Sequence, residues 1–287
     1  MRYLSPASFD DAVALAAQAP GVTRFLAGGT DVLVQMRADI VTPDTLIDIK
    51  KIPGTHDIVR APDGGWTIGV AVTGAEMREH ADLGADWPGL VEAMDLIGST
   101  QVQGRATLTG NLCNASPAAD SVPAMIAAGV TLTVFGPEGS RTVAAEDVPT
   151  GPGKTSLAKG ELITGVNVPA RGDHGGDAYL RFIPRTEMDI AVVGCGVNLT
   201  LDGDTITSAR VSLGAVAPTA LLVAEAANAI IGTTLDDSAM DALAAAASAA
   251  CSPIDDKRGT IKFRTHIAGV LARRAAKIAY DRARKAQ

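Results

Sequence analysis

The chain is poor in aromatic side chains: its 287 residues include two Trp, three Tyr and five Phe. Its core must therefore come mainly from Ala, Val, Leu and Ile, and hydrophobic residues make up 47% of the whole. So few stacking platforms argue against single-stranded nucleic acid as a partner. Cysteine is also scarce. Cys113, Cys195 and Cys251 are odd in number and show no C-x-x-C spacing, which excludes a disulfide framework, a zinc site and a self-contained iron–sulfur cluster. The histidines His56, His80, His174 and His266 share no metal-ligand spacing. No apolar stretch reaches membrane-span length, and Met1-Arg2-Tyr3-Leu4-Ser5-Pro6 has no apolar leader region, so a soluble cytoplasmic protein is expected.

Charge is unevenly spread. The net value is −7, yet from Lys257 onward ten Lys/Arg stand against one acid, Asp281. This basic tail reads either as a solvated helix face with cations near its C-terminal end, or as a docking surface for nucleic acid or an acidic partner.

Ser8 ahead of Asp10-Asp11 opens an amphipathic helix. Short apolar runs at 22–27, 46–49, 66–72 and 162–168 read as strands, and Thr73-x-x-Glu76 is a capping box before a helix. A further helix is predicted over about 89–97, and a hairpin over 131–143. Between Gly98 and Asp120 periodicity is lost, and so long a connection is expected to be ordered around a ligand. The glycine-rich segment 170–176 is the best domain boundary. Beyond it, Asp202-Gly203-Asp204 joins two strands in a hairpin, and three Ala-rich helices follow over about 218–231, 237–250 and 261–285.

Two glycine-centred loops carry the functional signal. In Leu26-Ala27-Gly28-Gly29-Thr30-Asp31, a strand, a glycine pair and a helix place backbone N–H groups and a helix N-terminus at one point, and Thr30 adds a hydroxyl. The competing reading is a tight strand-to-helix turn requiring positive φ. The loop lacks the G-x-G-x-x-G spacing of a dinucleotide fold. In the second, Thr107, Thr109, Gly110 and Asn111 are neutral donors, followed by Asp120, whose carboxylate suits a sugar or polyol hydroxyl better than a phosphate. Two such loops point to a large phosphate-bearing cofactor held from two sides. Gly151-Pro152-Gly153-Lys154-Thr155 is not a P-loop, because Val148 stands where that motif needs glycine; it reads as a mobile connection. Glu187 and Asp189 read as the start of a turn that could line the cofactor cleft. No nucleophile–base arrangement accompanies these loops, so the chemistry must reside in the cofactor.

Residues 25–37 and 106–120 resemble the two FAD-binding motifs of the medium, flavoprotein subunit of molybdenum hydroxylases, a group that includes carbon monoxide and xanthine dehydrogenases. The resemblance extends from Tyr179 and Arg181 through Ala191 and over the C-terminal helices. It implies an α+β fold: a two-lobed FAD-binding domain of vanillyl-alcohol-oxidase type over 1–172, with lobes at about 1–53 and 54–172, then a smaller domain of antiparallel sheet plus helices over 175–287. It also implies that Ala27 to Asp31 and Thr107 to Asn111 hold the FAD pyrophosphate. Asp120 would meet the ribityl or ribose region, with Ile163 and Arg181 near the cofactor. Partners would be a molybdopterin-binding large subunit and a [2Fe–2S] small subunit in a dimer of heterotrimers, passing electrons to a terminal acceptor. Relatives often carry lysine at the position of Arg181. Thr109 stands where the family has glycine, and a positive φ there would strain threonine. Carbon monoxide dehydrogenases commonly carry His-Ser where this chain has Thr30-Asp31, which favours another hydroxylase of the group. Two other readings are a free-standing FAD oxidoreductase of related fold and an assembly subunit that has lost FAD.

Overall fold

The structure is a computed structural model that describes residues 1–286. The first lobe runs β1 (Arg2–Leu4), α1 (Phe9–Gln18), β2 (Thr23–Leu26), α2 (Val32–Arg37) and β3 (Thr45–Asp48). Its three strands form a parallel sheet in the order β1-β3-β2, with Phe25 opposite Ile47. Ser8 accepts the Asp11 N–H at 3.1 Å and starts α1, whose Ala12, Val13 and Ala16 are buried.

The second lobe contains β4 (Ile58–Arg60), β5 (Trp66–Ile68), α3 (Gly74–Glu79), α4 (Ala81–Asp86), α5 (Pro88–Asp95), α6 (Thr100–Gln103), α7 (Leu108–Cys113) and α8 (Ser121–Ala128). It continues through β6 (Thr131–Gly136), β7 (Gly139–Ala144), β8 (Pro149–Gly151), β9 (Lys154–Thr155) and β10 (Leu162–Val168). An antiparallel sheet in the order β4-β5-β10-β6-β7 backs the helices. Thr73 and Glu76 form the expected capping box of α3.

The last part holds β11 (Gly175–Phe182), β12 (Val193–Asp202), β13 (Thr205–Gly214), β14 (Leu221–Leu222), α9 (Ala224–Asn228), α10 (Asp237–Ala249) and α11 (Ile261–Lys285). Its four strands are antiparallel in chain order. Helix α11 packs on this sheet through Ala268, Ala272, Ala275, Ala276 and Ala279, all fully buried, so small side chains let helix and strands approach closely. Helices α5 and α8 of the second lobe also pack against this sheet. There the Asp177 carboxylate accepts the Leu90 N–H at 3.2 Å and an Arg171 N–H at 2.6 Å, while Arg171 stacks over Trp87. No helix among the described residues is long and apolar enough to cross a membrane.

Four expectations change. The stretch 98–120 is not one irregular loop but contains α6 and α7, each too short to show a periodic pattern. The run 66–72 stops being a strand at Ile68, because the Gly69 and Ala71 N–H groups turn to the carbonyls of Asp57 and Thr55. Residues 151–155 are not a free connection: β8 and β9 pair as a hairpin, and Gly153 N–H bonds the Ala115 carbonyl at 3.0 Å. The helix predicted over 218–231 shrinks to α9, since Leu221 and Leu222 extend the sheet beside Leu213 and Ser212.

The tightest point between β11 and α11 is Gly176. A Cβ there would lie 2.0 Å from the Ala279 carbonyl oxygen and 2.7 Å from the Ala283 nitrogen, both backbone atoms that cannot rotate away. Gly176→Ala is therefore expected to destabilise the chain by about 1–3 kcal/mol, read as a lowered urea midpoint, whereas Gly203→Ala would not probe this contact. An unchanged midpoint for Gly176→Ala would mean that α11 is not held this close.

Candidate functional site

The strand β2 ends at buried Leu26, and the chain turns through residues 27–31 into α2. Both glycines of this turn are required, for different reasons. A Cβ on Gly28 would sit 1.9 Å from the Arg105 carbonyl oxygen, so the two loops touch backbone to backbone. The contact is reinforced by Arg105 Nε, which donates to the Gly28 carbonyl at 3.1 Å. Gly29 has φ +80°, a left-handed conformation that favours glycine. Among the described residues, the backbone N–H groups of Ala27, Gly28, Gly29, Thr30 and Asp31 have no hydrogen-bond partner. All five residues line a cavity of about 690 Å³. A run of unpaired amides needs water or a ligand to satisfy it.

The second loop forms the adjoining wall. Thr107 caps α7 by accepting the Gly110 N–H at 3.0 Å, and Thr107, Thr109 and Gly110 all line the cavity. The strain expected at Thr109 does not arise. It lies in the first turn of α7, not at positive φ, and its hydroxyl donates to the Val70 carbonyl at 2.7 Å. Asn111 stands behind the wall, its side-chain oxygen accepting from the Ser121 hydroxyl at 2.7 Å. Ile163, on β10, lines the cavity.

Several wall residues carried no signal in the sequence. The segment from Leu157 to Leu162 reaches the cavity although it is far from both loops in the chain. It brings Lys159, and β2 brings Arg24; neither cation forms an ion pair among the described residues. Glu161 is neutralised by a two-pronged pair with Arg141 at 2.8 Å, which holds its pKa below the usual range. Burial raises the pKa of Asp31. The Gly153 and Thr155 positions of the rejected P-loop segment also line the cavity.

Asp120 and Arg181 lie elsewhere. Asp120, just ahead of α8, accepts from Arg181 at 2.6 Å and from the Tyr179 hydroxyl at 2.8 Å, both on β11. The group is nearly fully buried between the second lobe and the C-terminal sheet and does not line the cavity. Asp189 bonds Arg185, Arg258 and the Ile190 N–H in an exposed turn, and Glu187 is exposed beside it; neither reaches the cavity.

A pocket walled by unpaired amides, threonine hydroxyls and unneutralised cations, on an α+β scaffold, is the architecture of a binding protein for an extended, phosphate-bearing cofactor. Comparison with known proteins identifies that cofactor. Residues 1–171 match the family described as the FAD binding domain in molybdopterin dehydrogenase, and residues 178–279 match the CO dehydrogenase flavoprotein C-terminal domain. The carbon monoxide dehydrogenase medium chain of Afipia carboxidovorans is 35% identical over 98% of this chain and 97% of its own length. The putative xanthine dehydrogenase FAD-binding subunit of Escherichia coli is 30% identical, covering 92% and 91%. Among solved structures, reconstituted CO dehydrogenase from Oligotropha carboxidovorans superposes with a TM-score of 0.94 at 34% identity over 98% of both chains. The chain belongs to the FAD-binding subunits of the molybdenum hydroxylase family, a family of oxidoreductases.

The buried Asp120 group makes a pH-dependent contribution whose sign can be worked out. Burial outweighs Arg181 and Tyr179 and pushes the Asp120 carboxyl from 3.8 up to about 6. The folded chain thus holds this proton more tightly than the unfolded chain. The resulting stabilisation is fully present below about pH 4 and is lost as pH rises through about 6, with an upper bound of about 3 kcal/mol. Asp177, also raised by burial, contributes with the same sign. Asp120→Asn, neutral at every pH, is expected to flatten the decline in urea stability across that window relative to the unmutated chain. Parallel pH profiles for the two proteins would remove Asp120 from this role.

Proposed function

We propose that the chain is the electron-transfer subunit of a molybdenum hydroxylase complex, receiving electrons from partner [2Fe–2S] clusters and delivering them through FAD to a terminal acceptor. The observation that carries this reading is the row of unpaired amides from Ala27 to Asp31, set beside the Thr107 hydroxyl and the cations Arg24 and Lys159. These donors fit a pyrophosphate, and a cavity of about 690 Å³ lies within the range of cofactor sites. The residues present therefore suit FAD. When bound, FAD takes up two electrons and can release them singly or together. The chain's own part is to hold the diphosphate with backbone amides, the Thr107 hydroxyl and nearby cations, to keep the apolar Ile163 surface against the cofactor, and to maintain the cavity's shape.

In this proposal Ala27, Gly28, Gly29, Thr30 and Asp31, continuing from buried Leu26, form one half of the FAD site; Thr107, Thr109 and Gly110 form the other, braced from behind by Asn111. Asp31, with its raised pKa and no cation beside it, is better suited to accept from a ribose hydroxyl than to face a phosphate. Asp120 and Arg181 would border the cofactor from the C-terminal sheet, beyond the cavity's present lining. The FAD-binding domain would span 1–172 in its two lobes, with 175–287 as a separate C-terminal domain. The partners would be a molybdopterin-binding large subunit and a [2Fe–2S] small subunit, assembled as a dimer of heterotrimers in the cytoplasm. Relatives described as medium chains of carbon monoxide dehydrogenase support a multi-subunit setting.

The purified chain, or the complex containing it, is expected to carry a yellow flavin absorption band and to release FAD on denaturation. In the complex, rapid-mixing spectroscopy with a hydroxylase substrate should show cluster reduction before flavin reduction. A colourless chain and complex that both refuse added FAD would defeat the proposal. So would turnover of a small organic substrate by the isolated chain.

A further inference from the structure

Thr107 and Thr109 are close neighbours on the cavity wall, with hydroxyl oxygens 3.4 Å apart. Their hydrogen positions follow from what each oxygen faces. The Val70 carbonyl can only accept, so the 2.7 Å contact consumes the single Thr109 proton. Thr107 receives the Gly110 N–H on its oxygen and still has a proton to give. The hydroxyl–hydroxyl contact must then run from Thr107 to Thr109. At 3.4 Å it is well beyond the roughly 2.5–3.0 Å of a good O–H···O bond. The Thr107 proton is loosely held and available at the cavity. Gly110 keeps it accessible, since a Cβ at that position would stand 2.9 Å from the Thr107 hydroxyl oxygen.

Resting on the FAD reading above, we infer that Thr109 is a positioning residue and not a cofactor donor. It ties the second loop to the buried Val70 carbonyl, and thereby sets Thr107 as the hydroxyl of this pair that donates to a phosphate oxygen. No other hydrogen bond to the Val70 carbonyl is present among the described residues, and Val70 itself is 1% exposed. Removing the Thr109 hydroxyl therefore strands a buried acceptor and frees the start of α7 whether or not cofactor is present. A glycine at this position could not make this tie.

The test uses the full chain with two readouts. Amide hydrogen exchange over residues 107–113 is measured without FAD, and FAD affinity is measured by quenching of flavin fluorescence. Thr109→Val and Thr109→Ala are expected to accelerate exchange in the cofactor-free chain and to weaken FAD binding about tenfold, while Thr109→Ser restores both. Thr107→Ser should retain affinity. Unchanged exchange with lost affinity would make Thr109 a direct donor and overturn the inference, as would no effect on either readout. Global unfolding of both Val and Ala variants would place Thr109 in the general core and also overturn it. Failure of the unmutated chain to bind FAD, alone or in its complex, would instead defeat the FAD assignment, and the exchange arm would still decide whether Thr109 ties the loop.

Discussion

The site depends on one backbone contact. The carbonyl of Arg105 occupies the space where a side chain on residue 28 would begin, and the Arg105 guanidinium returns a hydrogen bond to the Gly28 carbonyl. This contact joins two loops separated by some eighty residues and belonging to different lobes. With it in place, the residues that follow Gly28 and those that follow Arg105 form two walls of one cavity. Any side chain at residue 28 would force these walls apart, because the opposing atom is main chain and cannot swing aside.

A second constraint lies where the lobes meet the C-terminal sheet. Asp120 with Arg181 and Tyr179, and Asp177 with Arg171 and Leu90, bury charge between elements distant in sequence. Such groups are costly to bury, and both carboxyls respond with a raised pKa. What they supply is fixed orientation: β11 can meet α5 and α8 only where these partners coincide. This places Arg181 and Asp120 together, beyond the cavity lining, as a charged boundary on the side of the C-terminal sheet.

The physical signals readable in the sequence were local. Ser8 and the Thr73–Glu76 capping box announce their helices through adjacent residues, and Asp202-Gly203-Asp204 announces its hairpin. The short elements were hidden for the converse reason. Helices α6 and α7, at four and six residues, complete too few turns to show a period, and their stability comes from packing. Leu221 and Leu222 look helical among alanines, but pairing with β13 overrides that propensity. Lys159 reaches the cavity only through folding, and nothing in its own neighbourhood marks it; Arg24 and the hairpin at 149–155 sit beside or within glycine-bearing segments, but their place on the wall is set by the fold.

The sequence by itself determined that two small, glycine-bearing loops rich in backbone donors exist, because that information resides in consecutive residues. It also determined the family, through the order and content of those motifs. The tertiary structure alone decided what each residue does there. Gly28 proves to serve a neighbouring loop, Thr109 spends its proton on Val70, and Asp120 pairs with Arg181. Each of these outcomes depends on which distant atom faces a group, a property of the folded chain that residue type and spacing do not encode.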